Sequence, residues 1–186
     1  MELLCIFVDE ETGEGLYSIL YGREEKDEYE RLFDNWADAS YVLEYLKQNQ
    51  KYLAADYFAG ADIEDIASKI DKESEELENA IENHFFDSDK TLQMLFLPIG
   101  KQYLLPLHQK TKALVNDRRY FPRPVLRIYG IRISDNSFVI TGGAIKLVHS
   151  MMDHPDTEKE LQKLEIARAF LVTNGFNTSK DLQIII

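Results

Sequence analysis

Cysteine is nearly missing: Cys5 stands alone in 186 residues. Neither an intrachain disulfide nor a cysteine-built zinc site can form, and the chain suits a reducing, cytoplasmic setting. Long apolar runs are missing too. None approaches the roughly 20 residues that span a bilayer. The N-terminus has no basic region followed by an apolar segment and a small-residue cleavage site, so neither membrane insertion nor export is expected. A glycine-rich phosphate loop, a G-x-S-x-G elbow and an H-E-x-x-H pair are all absent, which removes the support for several enzyme classes. His149 and His154, with Asp153 and Asp156 nearby, match no rigid ligand frame and read as turn and cap chemistry, so no metal and no cofactor is expected. Basic charge is short overall: 21 Lys and Arg face 33 Asp and Glu, a net charge of -12. The molecule as a whole therefore repels phosphate.

What is present is enough for a core. Hydrophobic residues make up 45% of the chain, with 10 Phe, 10 Tyr and the single Trp36. The charge is divided unevenly. Residues 1–89 hold 7 basic and 25 acidic side chains, whereas residues 90–186 hold 14 basic and 8 acidic. The reading is an acidic hairpin-plus-helices region followed by a basic region, joined as one compact unit, and the asymmetry points to an interaction surface.

Periodicity gives the elements. Glu2 to Val8 and Leu16 to Tyr21 read as a hairpin about a polar loop with two glycines. Tyr29, Leu32, Phe33 and Trp36 fall on one helical face within 24–36, which assigns Trp36 to the core. A second helix is expected after Asp38 or Ser40, and a third from Asp62 to about His84 with a strongly negative outer face. Residues 85–124 read as loop-rich connecting chain. Val125 to Ile133 and Phe138 to Thr141 form an antiparallel hairpin, and Gly142-Gly143 marks a bulge. A last helix runs over about 157–173, with Thr157 and Glu160 as a capping box and Gly175 as its stop. Residues 182–186 are apolar enough for a terminal strand. The fold class is α+β: a small antiparallel sheet against several helices, with an acidic helical N-terminal part. Cys5, in an apolar strand with nothing basic beside it, is inert.

The constellation that carries chemistry is cationic: Lys110 and Lys112, Arg118-Arg119, Arg123, Arg127, Arg132, Lys146 and His149. Arg127 and Arg132 are five apart, so an undistorted strand sends them to opposite faces. Arg127 is the one taken for the site. The expectation is that Lys146 and Lys110 or Lys112 converge with it on a phosphate, where cationic donors bind substrate and stabilise the added charge of a pentavalent transition state; the alternative reading is scattered solvent-facing charge that neutralises the acidic half.

The segments Leu126-Arg127-Ile128-Tyr129, Phe138-Val139-Ile140, Gly143-Ala144-Ile145-Lys146 and the helix opening Pro155-Asp156-Thr157-Glu158 follow one another in an order that resembles the HigB-like, phage-derived branch of the RelE/ParE toxin superfamily. Lys110-Thr111-Lys112-Ala113-Leu114 resembles the lysine-bearing segment upstream in that superfamily. The resemblance spans roughly residues 104–175. It implies a metal-free endoribonuclease acting on messenger RNA at the ribosome, with an antitoxin protein as partner. It also implies that Arg127 clamps the phosphate and Lys146 binds backbone, with Lys110 or Lys112 as base or electrostatic clamp and His149 as acid or base. The acidic first half is expected either to cover the basic hairpin in cis or to dock a separate protein. A noncatalytic protein-interaction module retaining the toxin-like fold is the other reading.

Overall fold

The computed structural model describes residues 1–53, 58, 60–99, 108–114, 124–150 and 153–185. The chain opens with β1 (Glu2–Val8) and β2 (Gly15–Leu20), an antiparallel hairpin. Asp9 accepts from the backbone of Glu11 and Thr12 to shape the turn. Gly13 takes a positive φ of 72°, and a Cβ there would overlap the Ser179 carbonyl, so the loop tolerates only glycine where the C-terminal segment docks.

Among the described residues, three helices of ten residues or more follow. In α1 (Glu28–Ala37), Asp27 rather than a residue near Glu24 starts the helix, its carboxylate accepting from Tyr29 and Glu30. Asp38 caps α2 (Ala39–Gln48), and a 3₁₀ turn at Gln50–Tyr52 comes next. Asp62 caps α3 (Ile63–Phe86). The region expected to be loop-rich contains α4 (Leu92–Leu95), β3 (Leu97–Pro98) and β4 (Gln109–Ala113). Then come β5 (Leu126–Ser134) and β6 (Ser137–Ile145), the expected hairpin carried further. Its register shifts between Tyr129 and Gly130, with Gly142 opposite Tyr129 and Ile140 opposite Gly130, so Thr141 is the extra residue of a bulge.

The last long helix, α5 (Pro155–Thr173), departs from expectation at its start. His154 is the N-cap and accepts from the Asp156 N–H, Thr157 Oγ1 donates to the His154 carbonyl, and Glu160 is buried instead of closing a capping box. Gly175, at a φ of 76°, ends the helix as expected. The apolar terminus is not a strand: it forms α6 (Ser179–Leu182) and a 3₁₀ turn at Gln183–Ile185. Among the described residues no helix is long and apolar enough to cross a membrane.

The fold is α+β, built on one six-stranded sheet in the order β1-β2-β6-β5-β4-β3. It is mixed rather than wholly antiparallel, because β2 runs parallel to β6, with Leu16 opposite Phe138 and Ser18 opposite Ile140. Parallel neighbours require a crossover, and the intervening helices supply it. Strand alternation sends side chains to two cores. On one face Leu32, Trp36, Leu46, Ile70 and Leu77 of α1–α3 pack on Ile128, Phe138 and Ile140. On the other, Leu164, Ala167 and Leu171 of α5 pack on Tyr17, Tyr129, Ile131 and Val139. Strands from both halves of the chain thus share one sheet, and each core draws on both.

Candidate functional site

The strand pattern places the expected cations. Leu126 and Ile128 both enter the α1–α3 core, so Arg127 between them faces α5. Ala113 enters the same core and Thr111 Oγ1 donates to the Gly130 carbonyl, so Lys110 and Lys112 face α5 as well. Lys112 lies opposite Tyr129, which makes Arg127 its diagonal neighbour, the spacing at which long side chains on adjacent strands meet. Lys112 is partly buried; desolvation first, and the Arg127 charge second, hold its ammonium below the usual lysine range. Arg127 is 7% exposed and donates from Nη1 to the Leu126 carbonyl at 2.6 Å. Among the described residues no carboxylate pairs with Lys112 or Arg127.

The other expected site residues are placed differently. Lys110 is ion-paired with Glu165 of α5. Lys146 lies just past β6, its N–H donating to the Val125 carbonyl at 2.7 Å. Because Arg127 is opposite Ala144, Lys146 lies diagonal to Arg127 on the side away from Lys112. His149 is exposed in the bend that follows. Arg132 is on the other face, bonded to Gln93 and Asp135, and Arg118, Arg119 and Arg123 lie outside the described residues. The sheet therefore aligns Lys112, Arg127 and Lys146 along one diagonal. Among the described residues no three His, Cys, Asp or Glu side chains cluster so as to hold a metal ion.

A second site, which the sequence reading missed, lies at the ends of β2 and β6. The chain leaves β2 for α1 on one face and leaves β6 for α5 on the other. Parallel neighbours whose continuations part in this way open a crevice beyond their carboxyl ends, a recurrent place for ligands. Here the crevice measures about 1080 Å³, with α1 and α2 as one wall, α5 as the other and Gly143–Ile145 at its base. Tyr41 and Tyr45 stack on one wall at 6.3 Å, and the Tyr45 hydroxyl donates to Asp156 across the gap at 3.1 Å.

At the base, charges alternate. Glu28 receives Arg31 Nη2 at 2.6 Å and Nε at 3.2 Å, and Lys163 bridges Glu28 at 2.8 Å and Glu160 Oε1 at 3.3 Å. Glu160 Oε2 is buried with no hydrogen-bond partner. Burial pushes the Glu160 carboxyl up to about 7; Lys163 opposes that rise and Glu28 adds to it. A Cβ on Gly142 would overlap Glu160 Oε2 and fall 3.3 Å from Glu28 Oε2. The two carboxylates thus converge above one bare stretch of backbone. The Tyr21 hydroxyl donates to the Thr141 carbonyl at 2.9 Å, and its ring lies 5.0 Å from Lys163 Nζ.

A signal for this site is present in the sequence. Thr157, Glu160, Leu164, Ala167 and Leu171 form one buried stripe of α5, and Glu28, Leu32 and Trp36 one of α1. An acid on each apolar stripe marks the place. A third buried acid, Glu73 of α3, differs: its Oε2 receives the N–H groups of Val125 and Leu126 and its Oε1 pairs with Lys69 at 2.7 Å, so it holds α3 to the start of β5.

No family model, curated protein or solved structure matches this chain. Function is therefore argued from the two sites themselves.

Proposed function

We propose that the chain is a toxin-type endoribonuclease of the RelE/HigB-like kind, cleaving messenger RNA without a metal through Lys112, Arg127 and Lys146. The observation that carries the reading is the juxtaposition of Lys112 and Arg127 on one sheet face with no carboxylate between them among the described residues. Two like charges held close and partly desolvated repel each other, and an anion relieves both. Lys146, diagonal to Arg127, extends that preference along the backbone of a nucleic acid.

The chemistry follows from the same pair. Repulsion by Arg127 and burial enlarge the neutral fraction of Lys112, and a neutral amine takes the proton of a ribose 2′-hydroxyl. The 2′ oxygen then bonds to phosphorus as the bond to the 5′ oxygen breaks, leaving a 2′,3′-cyclic phosphate and a 5′-hydroxyl. Arg127 stabilises the charge gathered on the equatorial oxygens. A proton donor completes the leaving group, His149 in its protonated form or water. Lys110, engaged by Glu165, is assigned to holding α5 rather than to the base. Ribosome-bound messenger RNA is the proposed substrate, and an antitoxin covering this face is the proposed partner.

Induced expression of the intact chain should slow growth and shorten messenger RNA. Lys112→Ala and Arg127→Lys, each checked for folding by circular dichroism, should lower cleavage by about 10²-fold or more, the usual cost of removing one charge stabiliser. Equal growth and intact RNA for all three chains would count against the nuclease. Salt-sensitive RNA binding without cleavage would move the chain to the noncatalytic interaction module.

A further inference from the structure

We propose that the crevice between α1, α2 and α5 is a binding site for a neutral polyhydroxylated molecule, a saccharide or a similar polyol, with Glu160 at its base and the Tyr41–Tyr45 stack as a wall. This site is separate from the Lys112–Arg127 pair, and the inference is independent of the nuclease reading.

The base holds two acids, Glu28 and Glu160, and two bases, Arg31 and Lys163, all facing the same crevice. A cationic ligand meets Arg31 and Lys163, and an anionic one meets Glu28 together with Glu24, Glu44 and Asp156 on the walls. A neutral ligand rich in donors and acceptors meets neither penalty.

The Glu160 side chain is 10% exposed and lines the crevice, yet its Oε2 has no hydrogen-bond partner. A buried acceptor without a donor destabilises the fold that holds it. A hydroxyl is the partner that suits it in either protonation state, since a hydroxyl donates to a carboxylate and accepts from a carboxylic acid. An ammonium serves only the ionised form. Gly142 brings bare backbone against that carboxylate, because any side chain there would occupy the position of Oε2.

Stacked phenol rings offer flat apolar faces, and the side-chain amides of Asn35, Gln48, Asn49 and Gln162 line the same space. Flat aromatic faces beside amides and carboxylates suit rings that are apolar on one face and hydroxylated at the edge.

Trp36 is the only tryptophan and lines the crevice, so its fluorescence reports occupancy of the full-length chain. Titration with glucose, galactose, N-acetylglucosamine, ribose and maltose should give a saturable change with at least one sugar, at a Kd of about 10 mM or tighter. Glu160→Met should weaken that response at least tenfold and leave the melting temperature unchanged or raised, because Lys163 keeps Glu28 and an unpaired buried acceptor has been removed. Glu160→Gln, which retains an acceptor, should bind with intermediate strength. Linear, non-saturating responses to every sugar would overturn the proposal. So would saturable binding that is identical in wild type and Glu160→Met.

Discussion

The two flanks of α5 treat charge in opposite ways. Toward β4 and β5 the helix covers a face where Lys112 and Arg127 lie together with no described counter-ion, and it answers only Lys110, through Glu165. Toward β2 and α1 it contributes both Glu160 and Lys163 to an alternating cluster in which every charged group has an opposite neighbour. The lesson concerns ligand sign. Uncompensated cations on a sheet face call for an anion, whereas a compensated cluster in a crevice favours a neutral partner, although the net charge of the molecule is -12 throughout.

This contrast can be broken most severely at Gly142. Gly142→Val forces a branched side chain into the space of Glu160 Oε2 and against Glu28. Overpacking of this kind costs about 1–3 kcal/mol or more, and here it also separates paired charges. Urea denaturation should show a loss at the upper end of that range, while the Lys112–Arg127 face keeps its affinity for RNA wherever the variant is folded.

A smaller effect sharpens the crevice side through pH. The Glu160 carboxyl is raised to about 7 from the 4.5 of a free side chain, so the folded state binds the proton more tightly than the unfolded chain. The stabilisation this represents is complete below about pH 4.5 and is lost as pH rises through about 7. Denaturation between about pH 5 and pH 8 should therefore show a decline of about 2–3 kcal/mol from this group in the wild type, and Glu160→Gln should remove that slope. An unchanged slope in the variant would place the titrating group elsewhere.

The smallest effect sharpens the cationic side. Lys112→Ala should reduce the dependence of log RNA affinity on log salt by about one phosphate contact. Glu160→Gln should leave the slope as it was. A fall in both variants would mean that the two flanks are not independent.

Much of the frame was legible because it depends on local pattern. The β1–β2 and β5–β6 hairpins, the caps Asp38 and Asp62, the bulge beside Gly142 and the helical faces around Trp36 and Leu164 all follow from short-range periodicity and turn chemistry. The opposite faces of Arg127 and Arg132 follow from the strand period of two, whereas the shared face of Lys110 and Lys112 depends on β4, in a stretch that reads as loop. Non-local features did not show. Pairing of Leu16 with Phe138 joins residues from opposite ends of the chain, and no local rule selects a parallel partner. Without that pairing the crevice has no location, so Glu160 reads as a capping-box acid and nothing singles out Glu28. The C-terminal residues read as a strand from their apolar composition. The Thr178–Asp181 capping box and docking of Gln183 on the Glu10–Glu11 loop made them helical instead.

The parallel seat of β2 beside β6 also bears on synthesis. The first hairpin and helices α1–α3 leave the ribosome long before the strand that fixes their place in the sheet, and contacts this remote in sequence form late. A nascent chain that stops short of β6 has neither the crevice base nor one of the two partner strands of β5, so both proposed sites come into being only once β6 has emerged. Should the protein act on translating ribosomes as proposed, it could do so only after β6 of its own chain had been made.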